Sequence, residues 1–564
     1  MIDSSALDNI RTLFLNKNYE KVITTSKPLI NDENTDSWLL NIVGLSKNFQ
    51  KKKEDKDILS SLNLFERAFL KEKETLNGLE GLSNLIATTL IQLNNENLRE
   101  EASRYLKICE KYYLSSEKHF GNNEKFLIIG SNLFFSLLDM DKEIKILKKL
   151  LRSKLKNKDL VTSRYLFIQN YINSWSQEDH YINAKKLSIF FSKLEVSNLN
   201  EINFDQNKKI KIGFVSKDLY ENHPLSYFVS NIFKYFDKNL FELNVYSFAS
   251  KNNLDLKKNV SKWYDLINTN NQEVVKVIQS DKIQILIDLM GHTAGNRIGL
   301  FNSRISPIQI SWLAYCNTLG FKNVDYLIAD KNLIFKNEEK HYSEKILRLK
   351  NIWNVHSGFN YKRNFKISPC INNKIVCFGS FNNFKKISDE TVEVWSKILK
   401  LKKNSKLILK STLEVSNHKL LNKFKDYGVD GQIEILNRSK YKDLNHHLDL
   451  YEKIDIALDT FPYNGVTTTF EALWKGVPVV TMSGYNFNSR CGSSILKNSN
   501  LDNLIALDKK DYINKVLILT DNFDNLNKLR RKIFDEILTK PLFDGYSFAE
   551  DFYDHILKVY KNLY

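Results

Sequence analysis

Three consecutive threonines, Thr467, Thr468 and Thr469, follow Gly465 and Val466 just after the apolar run 454–458, and they open a helical pattern that carries Glu471. A helix start of this kind offers unpaired amides, hydroxyls and the positive end of the helix dipole to one point, which suits a diphosphate. Gly465 allows the backbone to come close to such a ligand. One threonine would serve as an N-cap; three exceed what capping requires. Glu471, about one turn into the helix, can accept hydrogen bonds from ribose hydroxyls or act as a first-turn partner of the dipole.

A second cluster, residues 378–388, runs from a strand pattern into a polar loop with Asn382, Asn383, Lys385 and Lys386 ahead of a helix. A lysine there can neutralise charge growing on a diphosphate leaving group, although in a lysine-rich chain either one alone reads equally well as surface. Three histidines lie near strand ends: His223 after the run 210–215, His292 after 283–289, and His447 ahead of 454–458. Such histidines are either structural or placed to donate to hydroxyls and relay protons near neutral pH. The sequence has no HExxH, GxxxxGK[ST] or GxSxG, and its DxD triplets at 55–57 and 139–141 fall in helical territory. A metal-held diphosphate is therefore not expected, and lysine, amides and a helix dipole would carry the charge instead.

The elements that must position these residues are short apolar runs ending in Gly, Asp, Asn or Thr, each followed by a helical pattern, as alternating β and α units read. The clearest are 210–215, 243–248, 283–289, 308–313, 375–378, 406–409, 433–436, 454–458 and 477–482, in two groups around Pro369 and Cys370. This predicts two doubly wound lobes with ligands at the carboxyl ends of parallel strands. Upstream, only Pro28 of the seven prolines precedes residue 200, and the first 195 residues are helix-permissive. Apolar-periodic segments centred near Val22, Ser61, Ala102 and Ile144 recur at intervals of about 40 residues, each beside a second helical stretch, which predicts stacked helix pairs of a degenerate tetratricopeptide type. Such a solenoid offers a concave surface for a protein or peptide, or acts as a spacer. The expected organisation is helical repeats over 1–195, a first lobe over 208–369, a second over 370–540 and a C-terminal helix over 541–564.

The 564 residues, 42% hydrophobic, exclude a disordered chain and a small disulfide scaffold. The 83 Lys and Arg against 66 Asp and Glu give a net charge of +17, which raises polyanions as partners. The densest basic stretches, at 51–53 and 208–211, lack the clustered arginines and interleaved aromatics of a nucleic-acid reader, so the excess reads as compositional. Five scattered cysteines without a CxxC pair point to a reducing compartment. The first residues lack a basic, apolar leader and no run reaches the roughly 18 apolar residues of a membrane span. The expectation is a cytoplasmic protein with neither nucleic acid nor membrane as partner.

Taken in order, Asn222-His223-Pro224, Gly291-His292-Thr293, Pro307-Ile308-Gln309 with Trp312, Tyr342-Ser343-Glu344-Lys345, Phe381-Asn382-Asn383 with Lys386, and Leu458-Asp459-Thr460 through Gly465, Thr467 and Thr468 resemble the O-linked N-acetylglucosamine transferase family, including its SPINDLY-like branch. The resemblance covers 208 to about 560 and implies two Rossmann-like lobes of the GT-B type behind N-terminal tetratricopeptide repeats. It implies inverting, metal-independent transfer of one GlcNAc-like sugar from a nucleotide diphosphate, a UDP-sugar before a GDP-sugar, to Ser or Thr of a protein recruited by the repeats. By motif, Lys386 would sit on the diphosphate, Thr467 and Thr468 would offer it amides and hydroxyls, and Glu471 would take the ribose. His447 would line the nucleotide site with Asn383, Gly465 and Thr469, His223 resembles a histidine favoured as base, and His292 would lie beside sugar and acceptor. Asn383, Val466 and Glu471 stand where the animal enzymes have Gln, His and Asp, a pattern closer to the SPINDLY branch, whose plant members use GDP-fucose. A related bacterial branch glycosylates Asn. A non-catalytic repeat scaffold is the remaining alternative, and it would lack an intact diphosphate site.

Overall fold

The computed structural model describes residues 4–30, 35–93, 95–172, 175–196, 208–251, 253–411, 414–437 and 444–562. Two compact units divide the chain, Met1–Leu155 with Thr412–Lys419, and Lys156–Ser411 with Leu420–Tyr564.

The first unit is built from helices α1 (Ser4–Leu15), α2 (Tyr19–Ser26), α3 (Ser37–Phe49), α4 (Asp55–Lys71), α5 (Leu76–Gln92), α6 (Arg99–Phe120), α7 (Glu124–Ser136) and α8 (Met140–Arg152). Side-chain caps start several of them: Asp36 accepts from the Trp38 amide, Thr75 from Gly78, Asn123 from Phe126 and Asp139 from Lys142, which satisfies amides that the first turn leaves unbonded. The helices form four sequential pairs. The periodic segments around Val22, Ser61, Ala102 and Ile144 are the second helix of each pair, and their apolar stripes face inward: Val22, Leu62, Leu106 and Leu147 are all buried.

The second unit holds two all-parallel sheets. Strands β1 (Ile210–Ser216), β2 (Phe241–Ser247), β3 (Lys262–Asp265), β4 (Ile285–Asp288), β5 (Ile308–Ser311), β6 (Tyr326–Asp330) and β7 (Lys345–Leu349) make a seven-stranded sheet in the order β3-β2-β1-β4-β5-β6-β7. Strands β8 (Val376–Ser380), β9 (Ser405–Ser411), β10 (Ile433–Asn437), β11 (Ile456–Leu458), β12 (Val479–Met482) and β13 (Ile505–Ala506) make a six-stranded one in the order β10-β9-β8-β11-β12-β13. Helices cover both faces, so the central strands are buried throughout and read as unbroken apolar runs. The strand order reverses at β1/β4 and at β8/β11, the positions where open parallel sheets bind ligands. The final helix, Gly545–Lys561, returns to the first lobe, where the Tyr553 hydroxyl donates to the Ile232 carbonyl at 2.7 Å and Phe552 packs on Trp312.

Helices α9 (Asp159–Ile168) and α10 (Gln177–Leu187) lie within the expected repeat region, yet they belong to the second unit. Helical periodicity shows that a helix has a buried face but not which core receives it. Here Asn170, just after α9, bonds Asn317 of the first lobe at 2.9 Å, and its carbonyl accepts from Asn488 of the second at 3.3 Å. The division between units therefore falls at residue 155 rather than 195.

Candidate active site

The loop after β11 is closed by Asp459. One carboxylate oxygen accepts from the amides of Thr460 at 2.9 Å and Gly465 at 2.7 Å, the other from the Thr481 hydroxyl at 2.7 Å. Burial pushes this carboxyl up to about 6, against the pull of the Thr481 hydroxyl, the Gly465 amide and the nearby Lys386. Asn464 reaches back to the Thr460 carbonyl at 2.9 Å, and the Thr460 hydroxyl to the Tyr463 carbonyl at 2.7 Å. The six residues from Thr460 to Gly465 are thus tied at both ends and across the middle.

The helix Thr467–Trp474 begins directly behind this loop, with Val466 at the N-cap and no side-chain cap. The Val466 carbonyl takes the amides of both Thr469 and Phe470, at 3.0 and 3.1 Å, so the amides of Thr467 and Thr468 precede the first bonded turn at the positive end of the helix. Two of the three threonine hydroxyls have separate tasks. Thr469 is buried and bonds the Gly465 carbonyl at 3.1 Å, while Thr468 donates to Asn382 at 3.0 Å from the loop after β8. Gly465 is required by space: a Cβ there would come within 2.4 Å of the Thr468 hydroxyl and 2.8 Å of Asn382 Oδ1.

Lys386 ends the short turn Phe384–Lys386. Its ammonium donates to the Asn464 carbonyl at 2.8 Å and lies 4.1 Å from the centre of the Tyr463 ring, a cation–π seat. Burial lowers its proton affinity and Asp459 opposes that. Both contacts come from the loop that Asp459 braces, so the lysine and the helix start are held by one frame. Asn383, expected to bind donor, is exposed and caps the lysine's turn, accepting from the Lys385 amide at 3.1 Å. The amide facing the crevice is Asn382.

Glu471 is buried. His447 Nε2 lies 3.0 Å from its Oε2, and the Tyr451 hydroxyl donates to the same oxygen at 2.8 Å. Burial alone would raise this carboxyl, but His447, Tyr451 and the charge of Lys410 outweigh it and hold the group below the usual value. Lys410 Nζ is in turn 2.7 Å from His447 Nδ1.

Both first-lobe histidines make local structural contacts. His223 caps α11 (Pro224–Lys234): its Nδ1 accepts from the Leu225 amide at 3.2 Å, and its Nε2 lies 3.8 Å from Asp218. With Nδ1 accepting, the neutral ring carries its proton on Nε2, so this nitrogen is set to donate rather than to act as a base. Burial pushes His223 down and Asp218 up. His292 is enclosed by Phe191, Tyr315 and Phe321, with Nδ1 3.1 Å from the Ser163 hydroxyl on α9 and Nε2 3.4 Å from the Leu319 carbonyl. Burial lowers it to about 4. Both ring nitrogens are engaged within the protein, so His292 is a bridge between α9 and the first lobe.

The family model described as glycosyl transferase family 41 matches residues 137–364 and 366–552. The chain belongs to glycosyl transferase family 41. Among curated relatives of this family, the probable UDP-N-acetylglucosamine–peptide N-acetylglucosaminyltransferase SPINDLY of Solanum lycopersicum is 31% identical over 412 residues, which is 71% of this chain and 43% of that protein. The probable enzyme of the same class called SEC, from Arabidopsis thaliana, is 28% identical over 351 residues, 60% of this chain and 36% of that one. The chain thus spans less than half the length of these relatives. In fold it matches a solved O-GlcNAc transferase of Thermobaculum terrenum, with a TM-score of 0.76 at 24% identity over 90% of this chain and 95% of that one, which identifies the architecture as helical repeats followed by GT-B. The family 41 match starts at residue 137, so it takes in α9 and α10 of the second unit together with α8 of the first.

Of the residues picked out by motif, Lys386, Gly465, Thr467, Thr468, Thr469, Glu471 and His447 gather around the carboxyl ends of β8 and β11. Asn383, His223 and His292 have other local tasks. Asn382, Lys410, Tyr451, Asp459, Tyr463 and Asn464 join the group at the strand ends, residues to which the sequence alone assigns no role, although Asn382 and Asp459 belong to the motifs. Five of these sit within or beside the motifs, and the signal that could have found Asp459, Asn382 and Lys410 is their position at or just past a strand's carboxyl end.

Proposed function

We propose that this family 41 protein is an inverting, metal-independent glycosyltransferase that moves one GlcNAc-like sugar from a nucleotide diphosphate, with UDP preferred, to a Ser or Thr hydroxyl of a protein. The observation that carries this reading is the joint fixing of the Lys386 ammonium and the Thr467–Thr468 helix start by the loop 460–465. Cation, amides and dipole are then pre-aligned for the charge that develops on a departing diphosphate, and they need no reorganisation as it grows. Glu471, ionised and anchored on one oxygen, is placed to accept from nucleoside hydroxyls. The printed names of the SPINDLY and SEC relatives, which specify UDP-N-acetylglucosamine and peptide, support the donor and acceptor classes. The intact diphosphate site speaks against a purely structural scaffold. The helix pairs recruit the acceptor, and the protein works in the cytoplasm; among the described residues no helix is long and apolar enough to cross a membrane.

The test is incubation with a panel of UDP- and GDP-sugars and a cell lysate, scored by mass spectrometry of the modified peptides. Lys386→Ala should lower turnover by about 10²–10³-fold, the usual loss for one well-placed electrostatic group, with folding intact. No consumption of any donor, or wild-type turnover by Lys386→Ala, refutes the reading. Modification of Asn, or use of GDP-fucose alone, would redirect it within the family.

A further inference from the structure

Lys410 is the penultimate residue of β9, His447 lies on the helix Leu444–Asp449, and Glu471 on the helix Thr467–Trp474. Three separate elements therefore meet in a line, with 2.7 Å from Lys410 Nζ to His447 Nδ1 and 3.0 Å from His447 Nε2 to Glu471 Oε2. The direction of this chain follows from the chemistry of its first member. An ammonium has three N–H groups and no acceptor. His447 Nδ1 must accept, so the proton of the neutral ring sits on Nε2 and points at the carboxylate. The opposite tautomer would set an N–H against the ammonium and a lone pair against Glu471. With Tyr451 donating to the same Oε2 at 2.8 Å, that oxygen is saturated, and among the described residues Oε1 makes no hydrogen bond.

We propose that Lys410 is a positioning residue of the donor site, which fixes His447 in the Nε2–H tautomer so that Glu471 is anchored through one oxygen and offers the other to the hydroxyls of the donor's ribose. The inference rests on reading this crevice as the nucleotide site. It gives a reason for a lysine at the end of a strand to meet a histidine on a separate helix. Recognition of a nucleoside by a carboxylate depends on that carboxylate's orientation, and a side chain free to rotate would lose binding through the entropy of ordering it.

The experiment uses the full chain with 15N-labelled histidine, with His447→Gln to assign the resonances. In the wild type, His447 Nδ1 should resonate as an unprotonated nitrogen and Nε2 as a protonated one. Lys410→Met, close in length but without a donor, should lose this single-tautomer pattern. It should also weaken calorimetric binding of UDP or GDP and raise the donor KM by about tenfold, the effect of one hydrogen bond to a charged group, while kcat changes by less than about twofold. Lys410→Arg, again donor-only, should retain the tautomer and recover most of the affinity, and all variants should melt with the wild type. The proposal is overturned if Lys410→Met keeps both the tautomer and the affinity, or loses affinity with the tautomer unchanged, since the lysine would then act directly on the ligand. If the wild type binds neither UDP nor GDP, the donor-site reading fails along with the binding role of Lys410; the tautomer comparison distinguishes that failure from a break in the lysine–imidazole link.

Discussion

Gly465→Ala is the sharpest probe of the idea that one braced loop organises both the cation and the helix start. An added methyl would lie 2.4 Å from Thr468 Oγ1, 2.8 Å from Asn382 Oδ1 and 3.0 Å from Asp459 Oδ1. A carbon needs about 3.5 Å from such atoms, so Thr468 would have to retreat by roughly 1 Å and Asn382 by somewhat less. That displacement breaks the Thr468–Asn382 bond and strains the Gly465–Asp459 one. Overpacking of this kind costs about 1–3 kcal/mol, and because every displaced atom borders the crevice, the cost falls on donor binding: about 5- to 150-fold in kcat/KM at 1.36 kcal/mol per decade. Gly431 is the control, since a Cβ there meets nothing within 4 Å, and Gly431→Ala should be neutral or stabilising by up to about 1 kcal/mol. Steady-state kinetics over a range of donor concentrations, with melting curves for both variants, make the comparison. Equal kinetics for the two alanine variants would show that the loop yields freely, and the account of a rigid frame would be wrong.

His292→Phe should leave the Ser163 hydroxyl and the Leu319 carbonyl without their partner and lower stability by about 1–3 kcal/mol in denaturant titration, with turnover per folded molecule retained; a collapse of kcat in a folded variant would restore His292 to the chemistry. His356 is fully buried, accepts from the Gly358 amide at 3.0 Å, and has no partner at Nε2 among the described residues. Burial lowers it to about 3, so between that value and about 6.5 the unfolded ring binds a proton and the folded one does not; stability from this group is full above the unfolded value and falls as pH drops. The wild type should lose about 2 kcal/mol relative to His356→Phe on going from pH 7 to pH 5, and a pH-independent difference in unfolding free energy between the two would refute that assignment.

How much of this was legible in the sequence depended on whether the relevant residues are neighbours along the chain. Each apolar run named from the sequence coincides with a strand; except for the edge strand β10 these are interior parallel strands, which are buried on both faces and show themselves as continuous apolar segments. Strands β3, β6 and β7 are not among those runs: Lys262–Asp265 and Lys345–Leu349 are sheet edges with exposed or half-exposed residues, whereas Tyr326–Asp330 is a buried interior strand that edge exposure does not explain. Strand β13 is only two residues long. At the site, the Gly465–Glu471 stretch could be read because a helix start concentrates its chemistry in consecutive positions. The links Asp459–Thr481 and Lys410–His447 could not, since they join residues 22 and 37 apart in sequence that meet only once neighbouring elements are packed. For the histidines, a strand-end position gives the place of the residue and not the direction of its ring, so the contacts of His223, His292 and His447 could not be told apart from sequence.

The placement of α9 and α10 sets where this chain can be severed. Ser163 supports His292, Asn170 bonds Asn317, and His180 lies 3.3 Å from the Tyr485 hydroxyl, so a cut made where the helical texture ends would strip struts from both lobes. A cut near residue 155 would remove the helix pairs, the first two of which share a core of their own, and would cost Lys419 its partner Glu110. The structural module that holds both sheets therefore begins some forty residues earlier than a change from helix to strand would suggest.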